Sequence, residues 1–249
     1  MALRKQAWLL VVCSSLAAPQ TNPLPVKETF TYNVEWRLIT AGKAKVEWNS
    51  AAPPAKGRQL NLHLESVGLV SKLFKVEDDY NVNLNQDLCA ESSHLISNEG
   101  NRHRETRITF DAETKKASYL ERDRTKNAVL TSQEIDIPPC VHDVVGGLFF
   151  LRTLPLEPGQ TVQAPVSDGK KSVMVKIDAM QREDLKTPAG PFKTIRYEIH
   201  IFNNVLYRRS AHLLVWLSDD RRKLPVQIRV RMTIAIGTIT LQLEKYEQG

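Results

Sequence analysis

The chain has 249 residues, 42% hydrophobic and 25% charged, with a formal net charge of +6. That hydrophobic content supports a sizeable core and excludes a disordered chain, and the length suits one large all-β domain as well as two small ones. The mild basicity suits an anionic envelope surface and is too weak to argue for nucleic acid, which is not expected as a partner.

Residues 1–17 read as a signal peptide. Arg4 and Lys5 form a short positive region, residues 7–12 an apolar run through Trp8, Leu9, Leu10 and Val11, and Ser15 and Ala17 place small residues where a signal peptidase reads. A buried N-terminal helix is the alternative, disfavoured by the prolines that follow at 19, 23 and 25. The run is too short to span a bilayer and no later stretch approaches the required length, so no transmembrane segment is expected. Cleavage is placed after Ala17, with Ala18 as the alternative end. Cys13 raises a lipoprotein reading, ranked second because Val12 stands where a small residue is expected. Cleavage leaves 232 of the 249 residues and lowers the formal charge from +6 to +4, since only Arg4 and Lys5 are lost. A proline-containing tail (18–29) then leads to a single all-β domain (30–247), and the location is periplasmic or otherwise exported.

Cys89 and Cys140 survive processing, and an even pair in an exported protein is most simply a disulfide. A buried pair of free thiols is the alternative, because sequence does not show proximity.

Residues 30–38 alternate as a strand, with Phe30, Tyr32, Val34, Trp36 and Leu38 on one face. Ala41 and Gly42 read as a turn, after which Ala44, Val46 and Trp48 return with the same parity; residues 51–57 are a loop. Leu60, Leu62 and Leu64 alternate, as do Tyr80, Val82 and Leu84, while residues 69–74 are too short to classify as helical turn or bent edge. From 102 to 124 the apolar signal thins to Ile108, Phe110, Tyr119 and Leu120, and Arg102, His103, Arg104, Arg107, Lys115, Lys116, Arg122 and Arg124 cluster. The bland reading of that cluster is a solvated face on outer strands blunted against edge pairing. The sharper one is a patch for anionic lipid headgroups or polysaccharide.

The spacing predicts one helix over 138–152. Val141, Val144, Val145, Leu148 and Phe149 recur at helical intervals, and Phe150 and Leu151 widen the stripe. Gly146 and Gly147 would each cost about 1 kcal/mol in a helix interior, which predicts something pressing close to the backbone there. The helix is expected as a plug on the concave face of a curled sheet. Beyond it, Asp168 and Gly169 mark a hairpin before Val173, Val175 and Ile177, and residues 187–191 mark a second turn. Ile195, Tyr197, Ile199 and Ile201 face in; residues 213–217 form a continuous apolar run with Trp216; and Val226 to Ile236 hold one parity that switches at Gly237, a bulge or tight hairpin.

From about residue 30 to residue 246 this pattern resembles the exported bacterial proteins grouped as domain-of-unknown-function family 3108. The residues that carry the resemblance are Tyr32 to Trp36 with Ala41 and Gly42, His142 and Asp143 with Leu151 and Arg152, Pro188 to Gly190, and the run from Trp216 through Asp219, Asp220 and Pro225 to Val226 with Gly237. The last is the most specific. The resemblance implies a periplasmic, mostly antiparallel curled sheet and no defined reaction.

The expected fold is therefore mainly β: one large, antiparallel, strongly curled sheet, a half-open barrel or β-spiral, with one central helix on its concave face. No nucleophile elbow, zinc-binding helix, phosphate loop or paired-cysteine knuckle occurs, so no catalytic residue, metal or cofactor is assigned. His142 and Asp143 are the best chemical candidates, but Asp143 at the first turn of the helix reads more simply as a cap against the positive dipole end. Asp219 and Asp220 could pair around a metal, yet adjacent carboxylates at a hairpin tip ordinarily face solvent or a neighbouring arginine. Two classes of function remain. The favoured one is a non-enzymatic envelope protein whose concave sheet, lined by Tyr32, Trp36, Leu62, Tyr197 and Trp216, holds an apolar or lipid-like ligand or a partner segment. Its partners would be an envelope lipid, a glycolipid or an envelope protein. The other is a hydrolase using His142 and a carboxylate. A rival within the first class is a scaffold whose interior is filled by its own side chains, so a cavity beside the packed helix is the discriminating feature.

Overall fold

The computed structural model of the chain describes residues 24–37, 39–51, 57–232 and 237–249. The signal peptide, Cys13, most of the proline tail, Leu38, the middle of the 51–57 loop, Ile234 and Ile236 lie outside the described residues.

The first half is a meander: β1 (Glu28–Trp36), β2 (Ile39–Ser50), β3 (Arg58–Ser66), then the short α1 (Gly68–Leu73), β4 (Val76–Leu84), β5 (Ala90–Glu99), β6 (Arg102–Asp111), β7 (Lys116–Asp123) and β8 (Ala128–Asp136). The second half opens with β9 (His142–Asp143), α2 (Gly146–Thr153) and β10 (Thr161–Ser167). It continues with β11 (Ser172–Thr187), β12 (Gly190–Ile199), β13 (Ala211–Ser218), β14 (Pro225–Met232) and β15 (Thr238–Gln248). All fifteen strands share one sheet, ordered from the β8 edge down to β1, then β15 and back down to the β9 edge. The sheet does not close, and its centre is the pairing of the first strand with the last, from Glu28 opposite Gln248 to Trp36 opposite Ile239.

Strand alternation places the core as read. In β1, Phe30, Tyr32 and Val34 are buried while the residues between them are partly exposed, as a period of two requires. The same parity carries a residue that hydrophobicity passes over, since Glu28 lies two positions before Phe30 and is fully buried. The sheet is mixed rather than wholly antiparallel, because β9 runs parallel to β10. The cause is the connection between them. A strand, a helix and a neighbouring strand joined in that order form a crossover, which brings the second strand back parallel to the first.

Two local readings are corrected. Ala41 and Gly42 are not a turn but lie inside β2, with Gly42 opposite Val34 at a register shift in β1 and opposite Ser66 in β3. Glycine is needed there because a Cβ would sit 2.4 Å from the Glu65 carbonyl oxygen. The helix starts at Gly146, not before Cys140, since Pro138 to Val141 stay irregular and His142 and Asp143 join the sheet. Gly146 is pressed as expected: a Cβ would lie 2.3 Å from the Asp143 carboxylate and 3.0 Å from the Leu84 side chain. The parity switch at Gly237 is a hairpin, in which Arg231 of β14 pairs with Thr238 of β15. A second helix, α1, occupies the stretch too short to classify, and it buries none of its residues.

Strands far apart in the sheet order also meet. In the β10–β11 turn, Lys170 reaches Glu121 of β7 at 3.3 Å and lies 4.5 Å from the centre of the Tyr119 ring. At the other seam, Ala90 N–H donates to the Val141 carbonyl, and Cys89 is disulfide-bonded to Cys140.

Candidate functional site

α2 has two differently treated faces. On one, Phe149 stacks on Trp48 of β2, ring centres 4.5 Å apart and 7° from parallel, and meets Phe30 edge-on at 6.0 Å. The Trp48 indole donates to the Pro25 carbonyl, which anchors the segment before β1. One turn on, Arg152 forms a bidentate pair with Glu28, both bonds 2.8 Å and both side chains at 0% exposure. The guanidinium also donates to the carbonyls of Arg222 and Lys223, and lies about 5 Å from the Phe30 and Phe149 ring centres. Tyr246 donates to Glu28, and its burial and then that bond push the phenol up to about 12, so the hydroxyl stays a donor. Both members of the buried pair are further hydrogen-bonded, the condition under which such a pair is tolerated.

The entrance to α2 is held by its own acid. Asp143 is buried and accepts from the amides of Val145 and Gly146, both 2.9 Å, and from the Tyr80 hydroxyl at 3.1 Å. Burial raises its pKa, while those amides pull it down. This is the capping role read from sequence. His142 points elsewhere: its Nδ1 lies 2.8 Å from the Leu88 carbonyl and its ring stacks on Phe150 at 4.0 Å, with burial lowering its pKa. The two side chains therefore have separate partners.

The side of α2 that carries Leu148 and Phe150 borders an apolar cavity of about 320 Å³. Val145, Leu148 and Phe150 supply the helix side, with Phe149 also reaching the lining; Tyr32, Val46 and Leu62 supply one wall; Val175, Val215 and Ile228 supply the other. The volume is about twice the ~150 Å³ of engineered apolar cavities that admit benzene and lies at the low end for ligand pockets. Leu62, Val144, Val145 and Tyr207 also line a more open cleft of about 370 Å³ between β3–β7 and the β10–β11 turn, whose polar lining includes Asp78, Asp168 and Lys170. An apolar chamber thus adjoins a more open, mostly apolar cleft that also carries these charged side chains.

Of the five side chains expected to line the concave face, Tyr32 and Leu62 border this cavity. Trp36 lines a separate apolar pocket under α1. Tyr197 faces inward but is packed solid, its hydroxyl donating to the Leu156 carbonyl at 3.3 Å. Trp216 lies on the face away from Val215, its indole donating to Glu183 at 2.6 Å under the Arg229 guanidinium. The continuous run at 213–217 hid this, because a strand covered on both faces shows no alternation. Leu185 and Phe192 of the long β11–β12 hairpin pack against the cluster that holds Trp216. Sequence reading missed Glu28, whose parity was the available signal, and gave Arg152 no partner.

The basic stretch on β6 and β7 is largely neutralised: Arg104 pairs with Asp123, Arg107 with Glu105, and Lys116 with Glu134 and Asp136. Asp219 pairs with Arg182 and Asp220 with Arg222. Among the described residues no group of three or more His, Cys, Asp or Glu side chains could hold a metal ion.

The model of a family described as a protein of unknown function, DUF3108, matches residues 31–244. No curated protein matches significantly. Among solved structures, a beta-barrel-like protein of the DUF1849 family from Brucella abortus aligns with a TM-score of 0.58 at 9% identity, covering 90% of this chain and 98% of that one. Weaker likenesses include a candidate exported protein with a YmcC-like fold from Bacteroides fragilis (TM-score 0.35, 12% identity, 93% and 100% covered). A candidate lipoprotein from Parabacteroides distasonis is similar at the same level (0.34, 9%, 91% and 99%).

Proposed function

The chain belongs to the DUF3108 family, and from that premise we propose that it is an exported, non-enzymatic envelope protein that holds an apolar or lipid-like ligand beside α2. The observation that carries this reading is the apolar cavity left next to a helix that is otherwise packed solid. A scaffold filled by its own side chains would leave no such chamber. The charged and hydroxyl groups of the adjoining cleft suit the polar end of an amphipathic guest.

The contacts of Lys170 with Glu121 and Tyr119 support a sheet curled into a half-open barrel, with α2 on its concave side and residues 30–247 acting as one domain. The Cys89–Cys140 bond supports an oxidising compartment, as does the signal-peptide pattern. A hydrolase built on His142 and Asp143 is less well supported, since the first is bonded to a carbonyl and the second is consumed in capping.

The test is native mass spectrometry with lipid extraction on protein purified from its own host. A stoichiometric co-purifying lipid or glycolipid supports the carrier reading. A clean apo mass, with no displacement of an apolar fluorescent probe by extracted envelope lipids, overturns it in favour of a scaffold or partner-binding role.

A further inference from the structure

One end of the sheet gathers exposed apolar and basic side chains. It carries the paired ends of β1 and β2, α1 between β3 and β4, and the paired ends of β14 and β15, brought together by the register Trp36–Ile39, Trp36–Ile239 and Arg231–Thr238. On the inner side, α1 roofs an apolar pocket of about 370 Å³ with Val70 and Phe74, above Trp36, Leu64 and Ile239. Val70 and Phe74, four residues apart, share that stripe. Leu69 and Leu73, also four apart, form another and are 65% and 76% exposed; Phe74 is 53% exposed, and Ile39 on the adjoining β2 is 47% exposed. Single exposed apolar side chains are ordinary, but four large ones at one tip mark an interaction surface.

The outer side of the same end carries the matching charge. Arg37, Arg229 and Arg231 line a groove of about 600 Å³ with Thr238, Thr240 and Gln242. The groove's one carboxylate, Glu35, accepts a hydrogen bond from Gln242. Among the described residues, no carboxylate lies within ion-pair distance of Arg229 or Arg231, and the Arg229 Nε is buried with no acceptor. Its guanidinium is held over Trp216 at 5.0 Å rather than by an acid. Arg37 joins the two sides: it stacks over Trp36, which lines the apolar pocket, and it borders the groove. Lys72 is exposed on α1, whereas Lys75 is paired with Glu77, and Glu99 lies 3.9 Å from Arg102. Of the acids near the tip, Glu65 is exposed.

We infer that this end of the sheet docks on an anionic lipid surface, with Leu69, Leu73, Phe74 and Ile39 entering the headgroup boundary while Arg229, Arg231 and Lys72 meet lipid phosphates. Apolar insertion combined with basic side chains is the pattern of interfacial membrane binding, where each cation near an anionic leaflet contributes about 1 kcal/mol. The docking does not require the inner cavity to be occupied.

The experiment is co-sedimentation of the chain with phosphatidylcholine vesicles, with and without phosphatidylglycerol. Binding is expected only with the anionic lipid and should weaken as salt rises. Leu69→Ser with Leu73→Ser should abolish it, and Arg229→Gln with Arg231→Gln should weaken it about 30-fold. The leucines are exposed, so their loss should leave the thermal midpoint unchanged. The arginine pair is read alongside Lys72→Gln, which touches no core. A cavity-blocking Leu148→Trp variant should still bind vesicles, separating this surface from ligand uptake. Absence of binding, equal binding to neutral vesicles, or full binding by the Leu69 and Leu73 variant would overturn the inference.

Discussion

Adjacent residues of α2 are packed to different degrees, although Leu148, Phe149 and Phe150 all reach one cavity. Phe149 is clamped between Trp48 and Phe30, and Arg152 closes that face with a buried charge pair to Glu28. Leu148 and Phe150 border an apolar chamber. Close packing and open space thus meet on one short helix of eight residues.

The sharpest way to break this contrast is to truncate both sides. Phe149→Ala should cost about 3–5 kcal/mol, the usual loss for a close-packed aromatic. Leu148→Ala, beside space that is already empty, should fall below the ~2 kcal/mol floor for buried leucine. Equal shifts in denaturant midpoint would show that the two faces are packed alike. Arg152→Met alone should be comparably severe, about 3–5 kcal/mol, because it strands a buried Glu28 carboxylate. Adding Glu28→Leu should restore most of that loss, and a double variant as unstable as the single would mean that the pair is not the source of the effect.

The disulfide comes next. It closes a separation of 51 residues between the start of β5 and the entrance to β9 and α2, for which chain entropy allows up to about 4 kcal/mol. Replacing both cysteines by serine should lower the unfolding free energy by that amount or less, and an unchanged midpoint would show that the entrance is held by Asp143 and the β9–β10 pairing alone.

The smallest effect concerns pH. Burial lowers the pKa of His142, so the folded state keeps it neutral while the unfolded chain takes up a proton below about pH 6.5. The unfolded state then binds more protons, and stability falls as pH drops below that value. Unfolding curves at pH 7 and pH 5 should differ less in His142→Gln than in the native chain. An identical difference would place the titrating group elsewhere. Asp143, whose pKa is raised, has the opposite sign and acts in a lower window, just above the usual carboxylate value.

The β class, the parity of β1, β3 and β4, the disulfide and a central helical segment were legible because each follows from local period or from a residue count. Ala41 and Gly42 misled, because glycine marks both a turn and a close strand approach, and only Glu65 across the pairing distinguishes them. β5 escaped notice because its inward positions include Ser93 and Ser97 rather than apolar residues. Alternation put Tyr32 and Leu62 on the side that borders the cavity beside α2, whereas Trp216 lies on the other face of a strand covered on both sides.

By itself, the sequence determined which residues seek burial and at what period, since hydrophobicity and backbone geometry act over a few neighbours. Tertiary structure alone decided that the first and last strands meet at the centre of the sheet. It also decided that Glu28 finds Arg152 across 124 positions, and that one face of α2 stands beside a cavity. Those outcomes depend on which distant surfaces come together and how completely their volumes fill the space between them, and no local pattern encodes a volume.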